Sequence, residues 1–223
     1  TTAIGRRGAG DIKVEKLRGL GVYAGHPLSA RLVSVLERAG LKPRAIPDAA
    51  AMKWSKMLTN LIANASSAIL DMTPGEIFAD PRLFAMEIRM LRETLAVMDR
   101  KAISVVDLPG TPVRALAWAI RHLPLWISRP LLAKAVGGGR GGKMPSFHID
   151  LHAGRGQSEV DYLNGAVVRT GREVGVKTPV NEVLTQTLLE LTRGKMDLSE
   201  FAHRPEKLLQ LVSRGDAESE KNN

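Results

Sequence analysis

A chain of 223 residues with a formal charge of +9 and no cysteine has room for one large or two small hydrophobic cores, and it excludes a disulfide framework, a cysteine-bound zinc site and a thiol nucleophile. The positive charge invites an acidic partner. However, aromatic residues make up only 4% of the chain, and the basic residues are scattered among predicted helices rather than gathered into an arm, which argues against nucleic acid.

No uninterrupted apolar run is long enough to span a bilayer, so no membrane partner is expected. The most lipid-like stretch, residues 115–136, is broken by Arg121, His122, Pro124, Arg129, Pro130 and Lys134. Absence of cysteine and of a signal-peptide pattern points to an intracellular, cytoplasmic setting. A chain opening at Thr1 rather than Met reads as a fragment.

At the N-terminus residues 12–14 and 21–23 are β-compatible, and the glycine-rich run from Gly5 to Gly10 reads as a hairpin or loop. A phosphate-binding loop would need an amphipathic helix directly after it, and strand follows instead. The period then becomes helical. Pro27 suits a first turn, Leu28, Leu32, Val35 and Leu36 mark one face, and Gly40 stops the helix. Residues 41–47 form an extended connection.

One continuous helix is predicted over residues 49–70, capped by Asp48. It carries Lys56, Asn60 and Asn64 at intervals of four in an otherwise largely apolar segment, so the three polar side chains share a face. Asn is a mediocre helix former, and two on one face cost propensity. Either the stripe binds a small polar ligand, or the asparagines tie the helix to a neighbour while Lys56 lies at the surface.

Further on, Thr73, Pro74 and Glu76 spell a capping box and a short helix. Asp80 and Pro81 open a long one over residues 81–102, with Leu83, Met86, Met90, Leu91, Leu95 and Met98 as its core stripe. Thr111 and Pro112 open a helix to about His122, and another runs to about Val136. The glycine cluster of residues 137–142 reads as a mobile loop.

His148 and His152 sit four apart and would face one way if helical. Without the H-E-x-x-H pattern, no metal is expected. Ser158 caps a helix over residues 159–174 ended by Gly175, and Thr178-Pro179 starts the next, stopped by Gly194. A last helix from Pro205 to about Val212 precedes a polar tail, residues 215–223, expected to be disordered. The chain is therefore mainly α with a small β remnant.

Three pieces together carry a resemblance. Trp54-Ser-Lys-Met-Leu-Thr-Asn60-Leu-Ile-Ala-Asn64, Ser158-Glu-Val-Asp-Tyr-Leu-Asn-Gly165 and Gly175-Val-Lys-Thr-Pro-Val-Asn181 resemble, in order and spacing, motifs of the ketopantoate reductase (2-dehydropantoate 2-reductase) family. The match covers roughly residues 25–194. It implies the multi-helix C-terminal domain of the ketopantoate reductase and 6-phosphogluconate dehydrogenase-like type. Residues 1–25 would be the end of a dinucleotide-binding domain, 26–214 the helical substrate domain and 215–223 a tail.

By this resemblance Lys56 matches the family's catalytic lysine and Glu159 its acidic partner. Asn60 and Asn64 match substrate-binding asparagines, and Ser146 matches the serine that holds the substrate carboxylate. The implied cofactor is NADPH, bound mostly by an N-terminal domain that has no counterpart here, and the implied substrate is 2-dehydropantoate or a similar 2-ketoacid. The chain departs from the family in being one residue shorter between Asp150 and Glu159 and longer over residues 109–143.

The chemistry suits those residue types in its own right. Hydride addition to a ketone builds negative charge on oxygen, where an ammonium stabilises the alkoxide and supplies its proton. The competing reading is a non-catalytic helical interaction or nucleic-acid-binding module, suggested by the charge and by the arginines of residues 114–143. Residues 115–132 read either as a homodimer contact or as a buried core helix.

Overall fold

The computed structural model describes residues 3–140 and 144–221, and they fall into two compact units. One comprises residues 1–59 and 103–118, the other residues 60–102 and 119–223.

In the first unit, β1 (Ala3–Gly8) and β2 (Asp11–Lys16) form an antiparallel hairpin, as the glycine-rich run suggests. The connection predicted as merely extended is a strand. β3 (Leu20–Tyr23) and β4 (Pro43–Ile46) pair in parallel around α1 (Ser29–Arg38), with Leu20 opposite Pro43 and Tyr23 opposite Ile46. Val22 and Ile46 are buried between these elements.

The face of α1 picked out by its apolar period is not core: Leu28, Leu32 and Val35 are exposed and line, with Tyr23, an open apolar groove of about 580 Å³. Helix α2 (Ala49–Leu61) starts where predicted, with Asp48 accepting the Ala51 N–H at 2.9 Å.

The second unit is helical, and its first departure from the sequence reading is the most consequential. The helix expected over residues 49–70 breaks at Ala63, whose φ of 50° is left-handed, and α3 (Asn64–Leu70) begins directly after it. A buried carboxylate explains the break. Glu87, 1% exposed on α5 (Pro81–Arg100), accepts the Ala63 N–H at 2.8 Å and the Ser66 hydroxyl at 2.6 Å. It thereby supplies the cap that the first turn of α3 lacks locally.

Around this joint the predicted caps are in place. Thr73 and Glu76 form the capping box of α4 (Pro74–Ala79), and Asp80 accepts the N–H groups of Arg82 and Leu83 at the start of α5. Leu83, Met86, Met90, Leu91, Leu95 and Met98 are all buried, as their spacing indicates.

Helix α6 (Val113–His122) carries the chain between the units. Helix α7 (Leu125–Arg140) then continues through Pro130 and the first three residues of the glycine cluster, so the loop expected over residues 137–142 is helical as far as Arg140. Residues 141–143 lie outside the described residues. Along this segment Trp118, Trp126 and Leu131 are exposed while Ala117, Ile120 and Ser128 are buried, so it is amphipathic rather than a core helix.

Helix α8 (Ser146–His152) makes the two histidines helical. The helix predicted from Glu159 starts instead as a 3-10 turn, Glu159–Tyr162, capped by Ser158. It breaks at Leu163 and resumes as α9 (Asn164–Val174). Glycine is required twice at the end of α9. Gly175 holds φ at 70°, and a Cβ on Gly171 would lie 2.7 Å from the Val176 carbonyl oxygen.

Helix α10 (Pro179–Thr192) follows, and α11 (Pro205–Lys221) runs on through most of the tail expected to be disordered. Tertiary contacts hold that extension. Arg89 pairs with Asp216 at 2.6 Å, and Gly215 approaches Val183 so closely that a Cβ would lie 3.0 Å from its methyl group. Residues 222 and 223 lie outside the described residues.

Glu87→Ala is expected to destabilise the second unit by about 3 kcal/mol, because it leaves a buried N–H and a buried hydroxyl without their acceptor. Urea denaturation measures the loss, and Glu87→Gln, which keeps one acceptor oxygen, loses less.

Candidate functional site

The break after α2 decides what Asn64 does. Its side chain is 5% exposed and is engaged at both ends. Nδ2 donates to the Asn60 main-chain carbonyl at 3.1 Å and to Ser146 Oγ at 3.4 Å, while Oδ1 accepts the Phe147 N–H at 3.1 Å. One amide therefore closes the last turn of α2, caps the first turn of α8 and fixes the Ser146 hydroxyl.

Of the residues singled out in the sequence, the structure brings Asn64, Ser146 and the Asn60 backbone together. Ser146 itself is exposed at the start of α8, so its hydroxyl is accessible.

Glu159 lies exposed at the start of its 3-10 turn. With Asp150, Arg155, Ser158, Tyr162 and Arg193 it lines a cleft of about 590 Å³, of which Asn64 and Ser146 are not walls. Within that cleft Arg155 pairs with Asp150 at 2.5 Å.

In the first unit, Lys56 is partly buried on α2, in a turn anchored from the opposite face. Ala51, Ser55 and Leu58 are fully buried there, and Ser55 Oγ accepts the Val106 N–H at 2.9 Å.

The other two motifs contribute a buried polar network. Asn164 Nδ2 donates to Asn181 Oδ1 at 3.1 Å, and Asn181 Nδ2 donates to Glu93 Oε2 at 2.7 Å and to the Met90 carbonyl at 3.0 Å. Glu93 also accepts the Val180 and Asn181 N–H groups at 2.9 and 3.0 Å, and so caps α10 from α5.

Burial pushes the Glu93 carboxyl up to about 7, against the pull of the N–H groups that favour its anion. The sequence reading passed over both Glu87 and Glu93. The available signal was register: Glu87 falls on the same stripe as Leu83, Met90 and Leu91, where a solvated acid would not be placed.

The helical unit has the architecture found in a group of solved reductases and dehydrogenases. A ketopantoate reductase of the PanE/ApbA family from Ralstonia eutropha superposes with a TM-score of 0.67 at 23% identity, over 87% of this chain and 58% of that one. D-mandelate dehydrogenase, solved with NADH and anilino(oxo)acetate, superposes with a TM-score of 0.65 at 22% identity, over 86% and 58%.

The family model for the ketopantoate reductase PanE/ApbA C terminus matches residues 48–192, and the chain belongs to that family. Among curated relatives, the 2-dehydropantoate 2-reductase of Pyrobaculum aerophilum is 29% identical over 170 residues, 76% of this chain and 53% of that protein. That of Archaeoglobus fulgidus is 27% identical over 163 residues, 73% of this chain and 46% of that protein. The chain thus spans about half the length of the curated relatives it matches.

Because the folded pKa of Glu93 lies above its ordinary value of 4.5, the folded state holds this proton more tightly than the unfolded one. The stability Glu93 contributes is complete below about pH 4.5 and is lost as pH rises through about 7, a change of about 3 kcal/mol at most. Denaturation of the wild type and of Glu93→Gln across that window is expected to show the decline in the first and a flatter profile in the second.

Proposed function

We propose that this chain is the substrate side of an NADPH-dependent reductase acting on 2-dehydropantoate or a similar 2-ketoacid, with Lys56 as its general acid. The observation that supports this most is the family match over residues 48–192, which contains Lys56, Asn60, Asn64, Ser146 and Glu159. NADPH would supply the hydride. The described residues do not fit a dinucleotide cradle, since α1 opens without a side-chain cap and no glycine-rich turn precedes it.

What the chain's own residues do follows from ketone chemistry. As the carbonyl oxygen gains negative charge, the Lys56 ammonium stabilises it and then gives it a proton. The partly buried setting of Lys56 strengthens that interaction relative to bulk water. Ser146, exposed and held in place by Asn64, donates its hydroxyl to the substrate carboxylate. Asn64 acts as a positioning residue through Ser146, and Asn60 aligns the remaining polar groups of the substrate. Glu159 accepts a substrate hydroxyl.

The test is NADPH oxidation with 2-dehydropantoate by the full-length protein. Lys56→Ala is expected to lower kcat by between about a hundredfold and ten-thousandfold. Ketoacid turnover that survives this change, or no turnover combined with salt-dependent retention of DNA, overturns the reading.

Ser146→Ala and Asn64→Ala are each expected to raise KM. The double variant should be little worse than Ser146→Ala alone, because Asn64 acts through the Ser146 hydroxyl. Full additivity would sink the positioning role of Asn64.

A further inference from the structure

We propose that Asp71, His148 and His152, with His203 at the rim, form a binding site for a divalent transition-metal ion of the zinc, cobalt or nickel class. The site lies within the second unit and stands whether or not the reductase reading does.

Two observations place the donors. First, α8 brings the histidines one turn apart on one face, with rings stacked at 4.0 Å and 23° between their planes. Second, Asp71, 77 residues before His148, ends α3 at the point both rings address. Its Oδ1 lies 2.6 Å from His148 Nε2 and 3.8 Å from His152 Nε2, and its Oδ2 lies 4.0 Å from His203 Nε2. The ligand atoms of Asp71, His148 and His152 all lie within 4.8 Å of one another.

Zinc bonds to nitrogen and carboxylate oxygen of about 2.0–2.2 Å put tetrahedral ligand atoms roughly 3.3 Å apart. To admit an ion the His148–Asp71 pair opens by less than about 1 Å and the His152–Asp71 pair closes by about 0.5 Å.

A hydrogen bond alone leaves this arrangement unexplained. One carboxylate oxygen needs one imidazole, and three imidazoles surround this carboxylate.

The backbone holds the donors as well. Asp71 and His203 both sit in the left-handed region, at φ 51° and 53°, and the His203 N–H donates to the Leu70 carbonyl at 2.7 Å. Residues held in such sparsely populated conformations cost energy that the surroundings must offset.

A set of imidazole nitrogens and one carboxylate, without thiolate, favours borderline divalent ions over magnesium or calcium. The fourth position falls to His203 or to water. An ion there clasps the end of α3 to α8, at the opposite end of α3 from the Asn64 contact, and so fixes the helix that carries Ser146.

The experiment is titration of the chelator-stripped protein with Co(II) and Zn(II) at neutral pH, in competition with a chromophoric chelator. The expected result is one equivalent bound, a visible Co(II) band of four- or five-coordinate type displaced by Zn(II), and a Tm raised by Zn(II). His152→Ala and Asp71→Asn should each weaken binding at least tenfold and abolish the Tm shift, while His122→Ala on α6 leaves both unchanged. The His152 side chain is 34% exposed at the end of α8, so its variant retains the fold even if that of Asp71 does not. If His152→Ala binds either ion as tightly as the wild type, or if the wild type binds neither, the cluster is an ordinary carboxylate–histidine contact and the proposal fails.

Discussion

The path of the chain through the second unit turns on a buried carboxyl group. Glu87, almost without solvent exposure, reaches from α5 to the first turn of α3 and satisfies groups that a broken helix would otherwise leave unpaired in the core. Burying a carboxyl group is costly unless it is hydrogen-bonded, and an unpaired backbone N–H is costly too. Each removes the other's penalty, which makes the break after α2 stable. From that break follow the left-handed Ala63, the reorientation of Asn64 and the seating of α8.

A second carboxylate on the same helix does related work. Glu93 meets the first turn of α10 and, through Asn181, the buried Asn164 of α9. Helix α5 therefore carries two acids that cap other helices, and it organises the unit through polar contacts as well as through its methionine and leucine stripe. The asparagines of two family motifs are occupied in this network. They tie α9 and α10 to α5, a structural part that a sequence motif alone does not distinguish from a binding one.

Helix α8 is short, and neither of its ends is secured by its own side chains. Its N-terminus is capped by Asn64, and its histidine face meets Asp71. Since both anchors come from α3, the position of Ser146 is set by the rigid pairing of two short helices rather than by α8 alone. Such an arrangement suits a hydroxyl that must be held in register with other groups, because positioning to within a fraction of an ångström is where much of the benefit of a preorganised site lies.

The elements legible in the sequence were those whose signals are local. The capping box at Thr73 and Glu76, the Asp80 cap before Pro81, the glycine stop after α9 and the buried stripe of α5 all follow from spacing within a turn or two, where helix geometry alone fixes which side chains meet. The motifs around Lys56, Glu159 and Asn181 were legible as a family resemblance for the same reason.

Long-range interactions were not legible. Nothing near Ala63 marks a break, since its cause lies 24 residues away at Glu87. The glycines after Val136 read as a loop yet continue a helix, and the polar tail is helical, with Arg89 reaching Asp216. Periodicity reports the face a side chain occupies, whereas its partner depends on which helix packs there. For that reason composition and spacing determined the helical class and the Lys56, Asn60 and Asn64 stripe, and the family resemblance supplied Glu159 and Ser146, while only tertiary packing decided that Asn64 is a joint, that Asp71 faces two histidines, and that Glu87 and Glu93 hold the unit together.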